Sequence, residues 1–233
     1  MVFIHNFKPY IFTIENINFK NRVYIMVSYK SPNAQKKPGS WECTVSELKA
    51  GVAGLSVSGN PKIVKAPYGN SMWFDGINDG FFLEHNPLKG LTCFTIEAII
   101  RPDASGPEEQ RFLHIGEIDG DRLLIETRVT KKNQWYLDTF ILSGESKKAL
   151  IYPKLVHPVD SWYHVALTLD KKGKMINYIN GKMEIKGEVE FKPINSGAIS
   201  IGARRNKVSW YKGAIYKIRI SPEVLEPNDF MAF

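Results

Sequence analysis

The sequence predicts an all-β protein, a sandwich of two stacked antiparallel sheets, and three observations predict it. Apolar and polar residues alternate with period two in short runs, clusters of Gly, Pro, Asn and Asp separate the runs at regular intervals, and no long stretch shows helical periodicity. The alternation is clearest in Trp162-Tyr163-His164-Val165-Ala166-Leu167-Thr168-Leu169-Asp170. After the turn Lys171-Lys172-Gly173-Lys174 it resumes in Met175-Ile176-Asn177-Tyr178-Ile179 and ends at Asn180-Gly181. Asn-Gly between alternating runs is a strong short-range hairpin signal, so this region reads as a β-meander.

The elements follow in order. Residues 1–40 are read as an N-terminal arm and linker: Tyr10 to Ile14 and Val23 to Val27 are short aromatic and β-branched runs, and 31–40 is rich in Pro, Gly, Ser and Lys. Translation from Met26 is a competing start. Residues 41–233 are read as the sandwich. Strands are expected at 54–58 and 62–64, split by Gly59-Asn60-Pro61, and at 71–74 and 80–83, on either side of Asp75-Gly76-Ile77-Asn78-Asp79. Further strands are expected at 94–101, which ends at Pro102, at 110–115, at 122–130 and 134–143 around Lys131-Lys132-Asn133, and at 148–151. The meander supplies 162–170, 174–179 and 182–186, and 199–203 and 213–220 close the fold.

Composition excludes several function classes. A chain of 233 residues with 43% hydrophobic and 24% charged residues is long enough for one large β-sandwich and reads as globular and soluble, with no apolar run able to span a bilayer. The formal charge of +7 is carried largely by turn lysines such as Lys131-Lys132 and Lys147-Lys148, which solubilise the chain and guard sheet edges. Nucleic acid would require a basic stripe interleaved with stacking aromatics, so it is not expected as a partner. An acidic polysaccharide is the better polyanion. Cys43 and Cys93 show neither disulfide-framework nor zinc spacing, and no export signal is recognisable at the N-terminus.

Five motifs in order resemble one family. The meander matches a W-x-H-V-A-x-T-x-D … Y-x-N-G signature. Phe74-Asp75-Gly76-Ile77-Asn78-Asp79 is similar to an F-D-G-x-x-D turn, and Phe94-Thr95-Ile96-Glu97-Ala98-Ile99-Ile100-Arg101-Pro102 to an F-T-x-E-x-W-x-R-P strand, with isoleucine in place of the tryptophan. Ile199-Ser200-Ile201-Gly202 with 213–221, and then 225–230, resemble the closing strands and terminal turn. Together they resemble the laminin-G-like jelly-roll domains of the concanavalin A-like lectin/glucanase superfamily. The resemblance implies a jelly-roll β-sandwich and an extracellular or periplasmic setting. It does not imply one activity, because the scaffold hosts lectins, adhesion modules, hydrolases and lyases.

Two pieces of family chemistry are tested by residue type. Glu117-Ile118-Asp119-Gly120-Asp121 approaches the carboxylate strand of retaining endo-glucanases, in which two carboxyl groups stand about 5–5.5 Å apart. The final glutamate is absent and Asp119-Gly120-Asp121 is turn chemistry, so the segment reads as a hairpin tip and no catalytic residue is assigned. Many relatives hold a structural calcium through an acidic pair in the last strand, where this chain has Tyr216 and Lys217. That departure disfavours calcium. No other cofactor or metal is expected, and Asp75 and Asp79 are read as caps of their own turn.

The candidate ligand surface comes from the middle strands. Alternation puts Leu123, Ile125, Thr127 and Val129 on one face and Arg122, Glu126 and Arg128 on the other. Tyr136 and Asp138 share a face of the next strand; Gln110 with His114, and Trp162 with His164, are expected to join them. Arg204 and Trp210 flank the loop between the closing strands. The residues read as ligand contacts are Arg111, Glu126, Arg128, Tyr136, Asp138, Arg204 and Trp210, although strict alternation pairs Arg111 with Leu113 and Ile115. Carboxylates and guanidinium groups beside aromatic rings suit sugars. The expected function is a non-catalytic carbohydrate-binding or adhesion module. The alternatives are a polysaccharide hydrolase or lyase in the same groove, and a protein-interaction module.

Overall fold

The computed structural model describes residues 40–48 and 53–232, together with the backbone pairing of strands β1 (Ile14–Phe19) and β2 (Arg22–Val27). The chain divides into two compact units, Met1–Pro38 and Gly39–Phe233. In the first, β1 and β2 pair antiparallel. The predicted linker over 31–40 lies, apart from Ser40, outside the described residues, as does most of the run beginning at Tyr10.

The second unit contains β3 (Trp41–Thr44), β4 (Leu55–Ser58), β5 (Lys62–Ala66), β6 (Gly69–Asp75), β7 (Gly80–Leu83), β8 (Phe94–Pro102), β9 (Glu109–Gly116), β10 (Arg122–Val129) and β11 (Gln134–Ser143). It continues with β12 (Ser146–Ile151), β13 (His157–Pro158), β14 (Tyr163–Leu169), β15 (Lys174–Ile179), β16 (Lys182–Glu188), β17 (Ala198–Ile201) and β18 (Lys212–Ser221). Sheet I runs β12-β11-β10-β9-β17-β7-β4, with β13 also on β11. Sheet II runs β16-β15-β14-β8-β18-β6-β5, with β3 also on β18. Every ladder is antiparallel. This is the expected two-sheet sandwich, and all the strands expected between 54 and 220 form within two residues of their expected limits. Two short strands were not expected. β3 pairs Lys217 to Ile220 of β18 while β6 pairs Lys212 to Ile215, so β3 exists because half of one edge of a long central strand would otherwise be unpaired.

The core lies between the sheets. Ile96, Ala98 and Ile100 of β8 and Val165, Leu167 and Leu169 of β14 meet Leu113, Ile115, Leu123, Ile125 and Trp135 of sheet I, all buried. Phe74, Phe81, Phe112 and Tyr211 form an aromatic group in edge-to-face and tilted contact, with centroids 5.7–6.4 Å apart. Asn177 of β15 carries buried polar bonds across the core: its Oδ1 accepts from Thr139 Oγ1 of β11 at 2.9 Å and its Nδ2 donates to the Leu150 carbonyl of β12 at 3.4 Å.

Three of the sequence motifs converge on the outer face of sheet II. Glu97 on β8 is fully buried; its Oε1 lies 3.0 Å from His164 Nε2 on β14, and its Oε2 accepts from Arg219 Nε on β18 at 2.6 Å. The segment beyond β18 closes over them. Met231 N–H donates to Glu97 Oε1 at 2.6 Å, Arg219 Nη2 donates to the Asp229 carbonyl at 3.0 Å, and the Phe230 ring packs 5.3 Å from His164 and 5.2 Å from Tyr178. Burial alone would raise the Glu97 carboxyl, but the bonds from His164, Arg219 and Met231 outweigh it and hold it below its ordinary value. His164 is therefore engaged in a structural bond, and it and Trp162, whose ring lies under the Arg101 guanidinium, stand on sheet II, away from the face expected.

Removing Glu97 leaves His164 and Arg219 without their shared partner. Glu97→Ala should cost about 3–5 kcal/mol in urea unfolding of the full chain, as expected when one member of a buried ionic group is deleted. A loss below about 1 kcal/mol would show that this cluster does not hold the three strands together.

Candidate functional site

On the outer face of sheet I a groove of about 320 Å³ is lined by Arg111, Arg122, Leu124, Glu126, Arg128, Asp138, Phe140, Ala149, Ile151 and Arg204. Its floor is cross-strand registry: Glu126 lies opposite Asp138, Leu124 opposite Phe140, and Phe140 and Asp138 opposite Ala149 and Ile151. Period-two alternation keeps this row on one face, while Leu123, Ile125, Leu137 and Ile141 enter the core.

Arg111 reaches the groove through a β-bulge. Leu113 pairs with Ile125 but Arg111 pairs with Glu126, which leaves Phe112 as an extra residue on β9. Phe112 and Leu113 both point into the core, so Arg111 and His114 face outward and Gln110 faces inward. Gln110 and His114 are thus on opposite faces, a correction to strict alternation. Gln110 serves backbone instead: its Nε2 donates to the Pro107 carbonyl and its Oε1 accepts from Lys212 N–H, both at 2.7 Å.

The loop from β17 to β18 makes the wall. Gly202 N–H donates to the Phe112 carbonyl at 3.0 Å and Arg111 N–H to the Ser209 carbonyl at 2.9 Å, so the loop takes up backbone groups around the bulge. Arg111 also bonds Ser209 Oγ and Glu109. Arg204 Nη2 donates to the Ile118 carbonyl at 2.7 Å, and Arg205 bonds the carbonyls of Leu83 and Ile199 and the Glu84 carboxylate. His114 lies beneath: its Nδ1 accepts from Arg205 N–H at 3.3 Å and its Nε2–H donates to the Glu117 carbonyl at 3.0 Å. Burial, with the neighbouring Arg204, Arg122 and Arg205 charges, pulls His114 down to about 4, so it is a neutral structural side chain.

Arg128 binds the carboxylates together. Its Nε and Nη2 donate to Asp138 Oδ2 at 3.0 and 2.8 Å, Nη2 lies 3.4 Å from Glu126 Oε2, and Nη1 lies 3.1 Å from Glu109 Oε2. Arg111 Nε stands 3.0 Å from Glu126 Oε1, but its N–H is not aimed for a hydrogen bond. Burial pushes Glu126 up to about 7 against the pull of Arg111, with Asp138 adding to the rise; burial also raises Asp138. Four buried polar atoms around this groove make no hydrogen bond: the Nε atoms of Arg111, Arg122 and Arg204, and Glu126 Oε2. Native proteins rarely leave such groups unsatisfied, and a cluster of them marks a place for a polar ligand or ordered water.

Five of the seven residues expected from sequence, Arg111, Glu126, Arg128, Asp138 and Arg204, line this one groove. Tyr136 lies on the same face, opposite Arg128 and beyond the lining. Trp210 is half-buried, edge-on to Phe82 at 6.4 Å, on the far side of β9. The aromatic ring of the groove is Phe140, missed although it shares parity with Tyr136 and Asp138. Arg122, 5.4 Å over the Phe140 ring, was placed on the right face but not among the contacts. Ile151 and Ala149 depend on the register of β12, which sequence alone does not set. Glu117 to Asp121 form the tip between β9 and β10, closed by Glu117 N–H to the Asp121 carbonyl, with Asp119 95% exposed.

A wider hollow of about 740 Å³ lies near Trp41, Glu84, His85 and Lys89. Its amides are already used: Asn86 Nδ2 donates to the carbonyls of Ile194 and Ser196, and Asn195 Oδ1 accepts from Gly90 N–H. The smaller groove is therefore the better chemical site. Asp75 Oδ1 accepts three backbone N–H bonds from Ile77, Asn78 and Asp79, and Asp79 accepts from Asn60 and Asp75, the turn-capping role read from sequence. Among the described residues no three His, Cys, Asp or Glu side chains converge as metal ligands, and no helix is long and apolar enough to cross a membrane.

A sandwich of two antiparallel sheets is the architecture of the concanavalin A-like jelly rolls. The chain belongs to the Laminin_G_3 family of the concanavalin A-like lectin/glucanases superfamily, whose model matches residues 75–229. It is similar to domain 4 of AbnA, a GH43 extracellular arabinanase from Geobacillus stearothermophilus, solved in complex with arabinotriose. That match has 18% identity and a TM-score of 0.57, over 75% of this chain and 84% of that one. It is also similar to the binding domain of Paraclostridial Mosquitocidal Protein 1, with 16% identity and a TM-score of 0.58, over 75% of this chain and 45% of that one. The receptor binding domain of botulinum neurotoxin C/D mosaic serotype matches at 16% identity and a TM-score of 0.55, over 75% and 44%. The chain spans under half the length of these last two. At such identities the likeness establishes the fold. Among curated proteins none matches the sequence.

The buried Glu126 carries a pH signature. Its folded value near 7 lies above its ordinary 4.5, so the folded state holds a proton that the unfolded chain releases. That contribution, on the order of 3 kcal/mol, is complete below about 4.5 and lost as the pH rises through 7. His114 has the opposite sign, its contribution present above 6.5 and lost as the pH falls through about 4. In Glu126→Gln only the first disappears. The Tm of the variant minus that of the unaltered protein should therefore rise by roughly 5–10 °C between pH 4.5 and 7.5. A difference independent of pH contradicts the buried, protonatable state of Glu126.

Proposed function

We propose that the protein is a non-catalytic carbohydrate-binding module whose ligand lies in the groove across β9, β10, β11 and β12. The observation that carries this reading is the pairing of an apolar strip, Leu124, Phe140, Ala149 and Ile151, with planar charged groups whose buried polar atoms lack hydrogen-bond partners. A pyranose or furanose presents the matching surface, C–H faces for the strip and hydroxyls for the guanidinium and carboxylate groups. The arabinotriose held by domain 4 of AbnA supports the assignment of a saccharide to this fold.

A hydrolase in the same groove is the second reading, favoured by two facing carboxyls with raised values, Glu126 and Asp138. Against it, Asp138 Oδ2 already accepts two hydrogen bonds from Arg128, which lower its nucleophilicity. Exposed apolar side chains are spread over both sheets, from Ile63 on β5 and Met183 on β16 at opposite edges of sheet II to Ile118 and Ile151 at the groove, which gives little support to one large protein-interaction face.

On an array of neutral and acidic glycans, the full chain should show a selective hit. Phe140→Ala should weaken it at least about tenfold, equivalent to roughly 1.4 kcal/mol, while Met183→Ala on the distant edge leaves it unchanged. A blank array removes the saccharide reading. Release of new reducing ends from the bound glycan, abolished by Glu126→Gln, would transfer the groove to a hydrolase.

A further inference from the structure

The guanidinium groups of the groove are not equivalent. Arg128, at one end, is engaged with Asp138, Glu126 and Glu109. At the other end Arg122 makes one hydrogen bond, from Nη1 to the Gly120 carbonyl at 2.7 Å, and among the described residues it has no carboxylate within ion-pair distance. Among the described residues the one carboxylate within ion-pair distance of Arg204 is that of Asp119, 4.0 Å away and in solvent. The Nε–H groups of Arg122 and Arg204 are buried without a hydrogen-bond acceptor, whereas Arg111 beside them is ion-paired with Glu109 and Glu126. Burial and the charge of Arg204, with a smaller share from Arg111, depress Arg122 against the pull of Asp119, as expected of neighbouring cations with little counter-charge.

Such a cluster is unfavourable when empty and is relieved by an anion with planar or tetrahedral oxygens, which guanidinium forks bind at fixed geometry. We propose that the Arg122 and Arg204 end of the groove is a subsite for the acid group of an acidic saccharide, a carboxylate or a sulfate ester. The sugar ring then lies against Phe140 and Leu124. The subsite rests on the reading of the groove as a saccharide site.

Calorimetric titration of the full chain with three oligosaccharides of equal length, one uronic, one sulfated and one neutral, tests it. At least one acidic probe should bind about tenfold or more tighter than the neutral one, and the advantage should shrink as NaCl rises from about 50 to about 500 mM. Arg204→Gln should cost the acidic probe about tenfold more affinity than the neutral one, with Arg204→Lys intermediate because it keeps the charge but not the fork. Preference for the uronic probe identifies a carboxylate subsite, and preference for the sulfated probe a sulfate subsite; either supports the proposal. Equal binding of acidic and neutral probes, or an advantage indifferent to salt, overturns the subsite and leaves the saccharide site standing. Absence of binding by all three overturns both. The salt dependence of the unaltered protein decides the matter should Arg204→Gln fail to fold.

Discussion

Glu97 is a charge placed where water does not reach, and the arrangement of sheet II follows from satisfying it. An isolated carboxylate at full burial is too costly to persist, so partners must arrive from both neighbouring strands and from the chain beyond β18. His164 comes from β14, Arg219 from β18 and the Met231 amide from the closing segment. These are the three central strands of sheet II, and their register is fixed by the requirement that all three side chains meet. The same requirement lays Phe230 over His164 and Tyr178. The middle of that outer face is therefore occupied by the protein's own chain, and the groove opens on the other sheet.

On sheet I the governing constraint is one extra residue. Without the bulge, strict alternation would send Arg111 into the core beside Leu113, where a guanidinium without partners is untenable. The bulge lets two consecutive apolar side chains, Phe112 and Leu113, enter the core and returns Arg111 to the surface opposite Glu126. It also frees backbone groups that the loop 202–211 takes up through Gly202 and Ser209, and this docking carries Arg204 to the groove. The wall and the floor of the site thus share a cause in the local backbone of β9.

Much of this was legible in the chain. Period-two alternation located the strands from 54 to 220, and the hydrophilic parity of β10 and β11 put Glu126, Arg128 and Asp138 on one face, where they are found. The ordered motifs led to the family because they are the residues that build the sheet II cluster and its turns. What alternation could not reveal was non-local. A bulge shifts parity within one strand, which reversed the relation of Gln110 to His114; the strand β3 depends on an edge of β18; and Trp162 and His164 belong to the opposite sheet. Phe140 was readable by parity, but a ring beside a guanidinium counts as a binding surface only once Arg122 is seen above it.

The groove is polarised along its length, and this polarity favours recognition over bond cleavage. At the Arg128 end three carboxylates are shared between Arg128 and Arg111, and the side chains hold one another in place. Glu109 is held below its ordinary value there because Arg111 and Arg128 outweigh its burial. At the Arg122 and Arg204 end cations outnumber anions, and Glu126 between them is protonated over much of the acidic range. A hydrolytic pair needs two carboxyls free to exchange a proton and attack a carbon. Here Asp138 is tied to Arg128, while the uncompensated charge at the opposite end is positive, which suits an arriving anion. The preorganised arginines supply attraction and orientation, the two things a binding module requires.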